Sequence, residues 1–435
     1  MKTRYLVVLG FLGLIAAGAA AFMLPALGGL AFWDALFTAC SATCITGLTV
    51  IDPGTQLTTA GQIVLMTLVQ IGCVGIMTLG TFFLVCTGRR LSLASEFSLS
   101  AAYGAGGVRG LKGLVVWVVL SMLAIEGVGT LILGRAWEGD WYAAAFYSVM
   151  AFCNAGFSLR AESLAPYGFQ PIVLLTLAVL VVLGGVGFLV LYNVCTIRFW
   201  RRNLMKRGRL SLHTRVVLGG TAAFILIAFV LFLVFEWKTA LAPYRWPGKL
   251  AVGLFHAVTP RTCGFTVIPT ESWHDATRFL SELLMFVGAA PGGAGGGIKV
   301  TTFIVFLATL SAIYRGRKST VLLRRTVPEE IVRESFIISA FYAAVVAAVM
   351  TALLVTESGR AGLSFENLLY EAVSATTTTG LTCGSTTKLL SIPGRVAIMV
   401  AMFLGRLGAL SVVLLVAGRE EPETIRFPKE EIVVG

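Results

Sequence analysis

Charge is scarce in this sequence. Only 13% of its 435 residues are Asp, Glu, Lys or Arg, against about a quarter in soluble domains, so water is not its main solvent. Histidine is scarcer still, with His213, His256 and His274 far apart. The eight cysteines form no CxxC pair and lie mostly within or beside apolar runs, which points to buried thiols and away from a zinc centre. No Ser/His/Asp or metal-ligand grouping stands out, so a membrane-embedded enzyme would lack its catalytic set. No GxGxxG fingerprint follows a strand. In the one glycine-dense stretch Ile298 separates Gly297 from Lys299, which breaks the Gly-Lys-Ser/Thr order of a phosphate-binding loop.

What remains is apolar. Hydrophobic residues make up 57% of the chain and the mean hydropathy is +0.87. Runs long enough for a bilayer, on the order of 20 residues, cover 5–27, 63–87, 114–133, 172–196, 216–235, 331–355 and 396–417. The opening MKTRYLVVLGFLGLIAAGAAAF has the look of a signal peptide, but its apolar stretch runs on to Leu27, which favours a retained first span. The net charge of +12 could suggest nucleic acid, yet its placement argues otherwise. Basic residues gather at Lys2 and Arg4, in 87–113 (Arg89, Arg90, Arg109, Lys112), in 196–215 (Arg198, Arg201, Arg202, Lys206, Arg207, Arg209, Arg215) and in 313–333 (Arg315, Arg317, Lys318, Arg324, Arg325, Arg333). The loops between are poorer. By the positive-inside rule both termini and these loops face the cytoplasm of a multi-pass cell-membrane protein, in contact with lipid and not with nucleic acid.

Between basic loops the pattern is long span, short apolar segment, long span. The short segments align without gaps: FTACSATCITGL (37–48), FYSVMAFCNAGF (146–157), LFHAVTPRTCGF (254–265) and YEAVSATTTTGL (370–381). A bulky residue precedes a glycine by ten positions in each (Phe37/Gly47, Phe146/Gly156, Leu254/Gly264, Tyr370/Gly380), and Leu or Phe follows the glycine. Four copies at a near-constant period signal repeated architecture. The segments 32–43, 141–152, 249–260 and 365–377 are too short to cross a membrane and suit re-entrant helices, which survive at depth only where protein buries them or they line water. Their extended ends would turn carbonyl oxygens toward an axis, as in a cation filter. Glycine supplies the backbone angles there, and the helix C-termini add partial negative charge. The threonines 376–379 fall at the turn from helix into filter.

The third unit holds a second anomaly, GAAPGGAGGGIKVTT at 288–302. Each interior glycine costs a helix about 1 kcal/mol and a proline about 3, so the span should break there. In the fourth unit MVAMFLGRLGALSVVLLV (399–416) carries Arg406 with about ten apolar residues after it, too deep to reach the surface by helical rise, so it should face a pore or a partner. Glu126, Glu282 and Glu371 read as structural partners, and Asp34 as a charge favouring a helix N-terminus. For Asn154, a pore-lining carbonyl and a side-chain role both remain open.

With these four units the chain resembles the Trk/Ktr/HKT superfamily of potassium transporters, in particular the membrane subunit of bacterial Ktr and Trk systems, over essentially its whole length. The resemblance implies an all-α membrane protein of four tandem outer-helix/pore-helix/inner-helix repeats around a central pore. It has eight membrane-crossing segments, the third inner helix being broken. The repeats would span 1–90, 91–205, 206–320 and 321–435, the last including the tail. The filter would be Ile45-Thr46-Gly47, Asn154-Ala155-Gly156, Thr262-Cys263-Gly264 and Thr378-Thr379-Gly380, with potassium as the ion held there. In the family an intramembrane loop obstructs the pore, here Gly288, Pro291, Gly292, Gly293, Gly295, Gly296, Gly297 and Lys299, and an arginine in a GRLG context, here Arg406, adds an electrostatic barrier. Gly293 and Ala294 stand where the family commonly has hydroxyl residues, so backbone contacts would have to hold this loop. Ala409 replaces a frequent proline. A full glycine set goes with potassium preference in this family; sodium permeation or ion-coupled secondary transport is the alternative. The resemblance also implies no organic cofactor, a homodimer, a cytosolic ring of nucleotide-binding subunits as regulator, and sodium as a candidate activator. An inverted-repeat solute carrier fits less well, because all four units run in one orientation.

Overall fold

The computed structural model describes residues 2–86, 107–199, 210–317 and 319–408. Most of the first two basic loops (87–106 and 200–209), Lys318 and the tail from Ala409 lie outside the described residues. Apart from single turns, the helices are α1 (Lys2–Met23), α2 (Phe32–Thr43), α3 (Thr59–Cys86), α4 (Gly107–Ala136), α5 (Trp141–Phe152), α6 (Pro171–Val186), α7 (Phe188–Phe199), α8 (Leu212–Glu236), α9 (Trp246–Val258), α10 (Asp275–Phe286), α11 (Val300–Tyr314), α12 (Glu329–Thr356), α13 (Phe365–Thr377) and α14 (Ile392–Leu407). One two-stranded hairpin, β1 (Val321–Leu322) and β2 (Arg325–Thr326), is the single sheet among the described residues.

Among the described residues three helical stretches, Val115–Ala136, Leu212–Glu236 and Glu329–Thr356, are long and apolar enough to cross a membrane alone. Large side chains stand exposed along them, including Leu120, Leu226 and Val355, as a hydrocarbon solvent allows. The run at 172–196, expected as one span, is two helices bent by 98° at Gly187. Gly187 has φ +89°, and a β-carbon there would stand 2.7 Å from the Pro291 carbonyl oxygen, so hydropathy continues through a point where the helix cannot. The fourth inner helix also differs from expectation: α14 ends at Leu407, with Gly408 at φ +77°, which puts Arg406 in its last turn.

The packing runs in a cycle. The second apolar helix of each unit lies against the short helix of the next: α3 on α5, α6 on α9, α10 on α13 and α14 on α2. The last contact closes the ring, and Asp34 of α2 seals it by pairing with Arg395 of α14 at 2.7 Å. Ends are fixed by short polar devices. The Asp140, Ser364 and Ser391 side chains accept hydrogen bonds from the N–H groups of Ala143, Asn367 and Gly394 and start α5, α13 and α14. In the third and fourth units a buried glutamate at the end of the outer helix grips the start of the inner one. Glu236 accepts from His274 N–H at 2.8 Å and from the Thr277 hydroxyl, and Glu357 accepts from the Ser391 N–H and hydroxyl.

Glycines let the layers touch. A β-carbon on Gly72 of α3 would stand 2.3 Å from the Thr43 carbonyl oxygen, on Gly184 of α6 1.8 Å from that of Phe152, and on Gly405 of α14 1.9 Å from that of Thr376. Each oxygen belongs to the end of the unit's own short helix, four residues before the repeated glycine. Gly184→Ala should therefore destabilise the protein by about 1–3 kcal/mol through overpacking. Gly127→Ala, in an open helical position with nothing within 4 Å, should instead stabilise by up to about 1 kcal/mol. Thermal unfolding of the two purified variants in detergent checks this; equal midpoints would contradict the packing.

Candidate functional site

The four short helices α2, α5, α9 and α13 end where the four repeated sequences meet. In each, the residue two before the glycine takes a left-handed conformation: Ile45 (φ 54°), Asn154 (57°), Thr262 (69°) and Thr378 (52°). The glycines Gly47, Gly156, Gly264 and Gly380 follow at φ 88°, 66°, 79° and 86°. Positive φ is uncommon for any residue with a side chain and an outlier for β-branched Ile and Thr, at a cost of roughly 1–2 kcal/mol each. Such strain persists only where surroundings enforce it, and it clusters at functional sites.

The four loops close on one another. A β-carbon on Gly47 would stand 2.2 Å from the Ala155 carbonyl oxygen, on Gly156 2.7 Å from that of Cys263, on Gly264 2.7 Å from that of Thr379, and on Gly380 2.0 Å from that of Thr46. The glycines therefore sit in a ring, each against the carbonyl that precedes the next glycine, and no side chain fits at these positions. All twelve expected filter residues lie in this ring. Ile45, Thr46, Asn154, Ala155, Thr262, Cys263, Thr378 and Thr379 are buried. Behind each glycine an apolar residue anchors the loop: Leu48, Phe157, Phe265 and Leu381, all buried. Phe37, Phe146 and Tyr370 are buried as the alignment suggests, but in the third copy it is Phe255 that is buried while Leu254 is half-exposed. There α9 starts early and gives way to a Thr259–Arg261 turn.

The shared SAT of the first and fourth copies has a structural reason. The Ser41 hydroxyl accepts from Gly47 N–H, and the Ser374 hydroxyl accepts from Gly380 N–H, both at 3.1 Å. The backbone repeats the arrangement: Thr46, Ala155 and Thr379 N–H donate to the carbonyls of Ser41, Met150 and Ser374 at 2.8, 2.9 and 2.8 Å. Neither serine was among the expected site residues, although the common offset of six before the glycine carried the signal. Thr378 and Thr379 face different ways, the Thr379 hydroxyl pairing with that of Thr377 at 2.8 Å. The Asn154 amide lies beside the Val181 and Ala151 carbonyls, to both of which its nitrogen would donate when turned toward them.

Directly beside the ring lies the segment between α10 and α11. Residues 287–299 are not helical, and a parallel bridge joins Val287 to Ile298. The segment presses on the left-handed threonines: a β-carbon on Gly295 would stand 1.8 Å from Thr262 Oγ1, and on Gly296 2.2 Å from Thr378 Oγ1. It also locks onto the bend of α6–α7. Ala290 and Ala294 N–H donate to the Gly185 and Gly184 carbonyls at 2.9 and 3.0 Å, and Phe188 N–H donates to Gly292 at 3.2 Å. Gly292 and Gly297 turn the chain at φ 75° and 70°, with Pro291 just ahead of the first. A β-carbon on Gly293 would meet the Gly185 oxygen at 2.6 Å, and one on Gly288 the Gly296 oxygen at 2.0 Å.

Cations hold this segment by its carbonyls. Arg406 donates to Ala294 O at 2.5 Å and to Gly72 O at 3.3 Å, Lys299 to Gly295 O at 2.6 Å, and Arg261 to Gly288 O at 3.4 Å. Arg261 and Arg406 are buried, and among the described residues no carboxylate pairs with any of the three. Buried charge without a counter-ion is expensive, so carbonyl dipoles carry the compensation. Arg261, one residue before the third filter triplet, went unread in the sequence as part of the repeat.

Glu126 accepts from Gln70 at 3.0 Å and from the Cys153 thiol, Glu371 from Thr382 and Thr387. Glu282 is half-buried on α10. His256 stacks on Phe232 and accepts from Ile268 N–H, while His274 caps α10. Among the described residues no group of His, Cys, Asp or Glu could hold a metal ion. Ser374→Ala would leave the buried Gly380 N–H without its partner, a loss of about 1–3 kcal/mol. Unfolding of the purified variant should show that loss, and a wild-type profile would deny the hydroxyl its role in the ring.

The family profile described as TrkH, cation transport protein, matches residues 17–424. The chain is 36% identical over 437 residues to Ktr system potassium uptake protein B of Bacillus subtilis, covering 98% of this chain and 95% of that protein. It is 35% identical to the protein of the same name from Vibrio alginolyticus (99% and 94% covered), and 30% identical to potassium/sodium uptake protein NtpJ of Enterococcus hirae (99% and 96% covered). Among solved structures, the potassium transporter TrkH from Vibrio parahaemolyticus superposes with a TM-score of 0.77 at 19% identity, over 95% of this chain and 84% of that one, a likeness of fold. The strained glycine ring and the broken helix beside it thus stand on the scaffold of a membrane transporter, and the chain belongs to the TrkH family of cation transport proteins.

Proposed function

We propose that this chain takes up potassium across the cell membrane, through a pathway along the axis of the glycine ring. The observation that carries this reading is the fourfold backbone: a left-handed residue, one intervening residue and a glycine, repeated around a closed cycle in which each glycine meets the main-chain carbonyl of the next loop. Carbonyl oxygens can replace the hydration shell of a cation, and the ends of α2, α5, α9 and α13 add partial negative charge from four directions. α1 and α3, α4 and α6–α7, α8 and α10–α11, and α12 and α14 then form eight outer and inner crossings, with both termini in the cytoplasm. The two Ktr relatives, both named as potassium uptake proteins, support the choice of ion. The NtpJ relative, named for potassium and sodium, supports sodium permeation as the second reading.

The segment 288–297 is the gate in this account. It lies against the ring through Gly295 and Gly296, and Arg406 and Lys299 bring positive charge onto the same constriction, a barrier to any cation in a low-dielectric passage. Family resemblance adds a homodimer, a cytosolic nucleotide-binding ring as regulator and sodium as an activator. Potassium uptake by a transport-deficient cell expressing the chain, with and without a cytosolic subunit, tests the function as a whole; absence of uptake in both would sink it.

Two sharper outcomes follow. Gly47→Ser, or the same change at Gly156, Gly264 or Gly380, should lower potassium-over-sodium discrimination roughly tenfold, about 1.4 kcal/mol. Flux ratios in liposomes measure this, and four variants of unchanged preference would remove the filter. Arg406→Ala and deletion of residues 292–297 should each raise basal potassium flux, with a combined effect smaller than the sum because both act on one constriction. Unchanged flux in both well-folded variants would remove the gate and leave the filter standing.

A further inference from the structure

The segment joining α11 to α12 is built as well as charged. Val321 pairs with Thr326 and Leu322 with Arg325, which leaves Leu323 and Arg324 as a two-residue loop. Both have positive φ, 47° and 64°, the pattern of a type I′ hairpin turn that normally calls for Asn-Gly. Leucine and arginine are strained at those positions, and strain of this kind points to a use for the side chains. Leu323 is 56% exposed, and Arg324 and Arg325 stand exposed beside it.

The hairpin does not hang free. The Thr320 hydroxyl bonds that of Thr309 at 3.0 Å in a buried contact, Val327 N–H donates to Thr320 O at 2.8 Å, and β1 packs along α11. Thr309 lies five residues before the end of α11, so the hairpin folds back alongside the helix. The level it reaches can be gauged. α11 starts beside the glycine ring and its 15 residues run roughly 22 Å, about the distance from mid-bilayer to the headgroups. Its outer side exposes Leu307, Leu310 and Ile313 and finishes with Tyr314, 93% exposed. An apolar stripe ending in tyrosine marks the hydrocarbon boundary. Arg315 and Arg317 follow, both exposed. The acidic residues here, Glu329 and Glu330, sit in the first turn of α12, where they complement the helix dipole.

We propose that the 321–326 hairpin is an anchor for anionic phospholipid: Leu323 enters the headgroup boundary, and Arg324 and Arg325, with Arg315 and Arg317, hold lipid phosphates. Apolar tip, flanking arginines and tyrosine-marked depth together fit a membrane surface better than a soluble partner. Basic residues beside a membrane recognise anionic headgroups by this chemistry. The anchor holds the foot of the helix whose head carries Lys299, and it does not depend on the role assigned to the 288–297 segment.

Hydrogen exchange of the full chain in nanodiscs of phosphatidylcholine, or of an equal mixture with phosphatidylglycerol, tests this. Exchange of the hairpin amides should be roughly tenfold slower with phosphatidylglycerol, and high salt should abolish the difference. Arg324→Gln with Arg325→Gln should lose the lipid effect. Leu323→Asn with Arg324→Gly suits the turn, keeps the hairpin folded and should lose it too, which separates lipid contact from folding. Three results would overturn the anchor: equal exchange in both lipids for the unaltered protein, a lipid effect that survives in both variants, or slowing that needs a soluble acidic protein and ignores the lipid.

Discussion

Everything in this molecule depends on how closely four stretches of main chain approach one another. Where the glycine ring closes, the neighbouring carbonyl stands where a β-carbon would be, at 2.0 to 2.7 Å, so the ring keeps this spacing only while all four positions lack a side chain. The same device recurs one layer out, where Gly72, Gly184 and Gly405 let the inner helices lie on the ends of the short ones. The strained left-handed residues, the serine hydroxyls behind the first and fourth glycines, and the buried Leu and Phe anchors all hold that approach against its cost.

A second constraint is electrostatic. Two arginines are buried and a lysine half-buried next to the ring, with no carboxylate partner among the described residues, and each is held by a carbonyl of the 288–295 segment. Those carbonyls are available because the helix is broken; in a helix they would be taken. Glycine-rich sequence, lost helix, free carbonyls and retained cations are therefore one physical arrangement. The bend at Gly187 belongs to it as well, since its freed Gly184 and Gly185 carbonyls take the segment's N–H groups.

Much of this was legible in the sequence. The boundaries of α2, α5 and α13, the ring glycines and the interruption at 288–299 follow from repeat alignment and helix propensity. What could not be read depends on contacts between distant stretches. The 98° bend at Gly187 hides in an unbroken apolar run, because hydropathy does not register backbone angle. Arg406 stands in the last described turn of α14 because Gly408 takes a left-handed φ, which composition does not reveal. Arg261 sits inside a repeated sequence, and only its burial and its bond to Gly288 set it apart, while the third copy's buried aromatic is shifted by one residue because α9 runs differently.

The central claim is that the ring is where the ion dehydrates onto backbone oxygen. Thallium, a potassium mimic with strong anomalous scattering, tests it most directly in crystals of the protein. The account predicts anomalous density on the axis, within reach of the carbonyls of Thr46, Ala155, Cys263 and Thr379, and its loss when sodium replaces potassium's mimic. Density elsewhere in the molecule with none at the ring would contradict it.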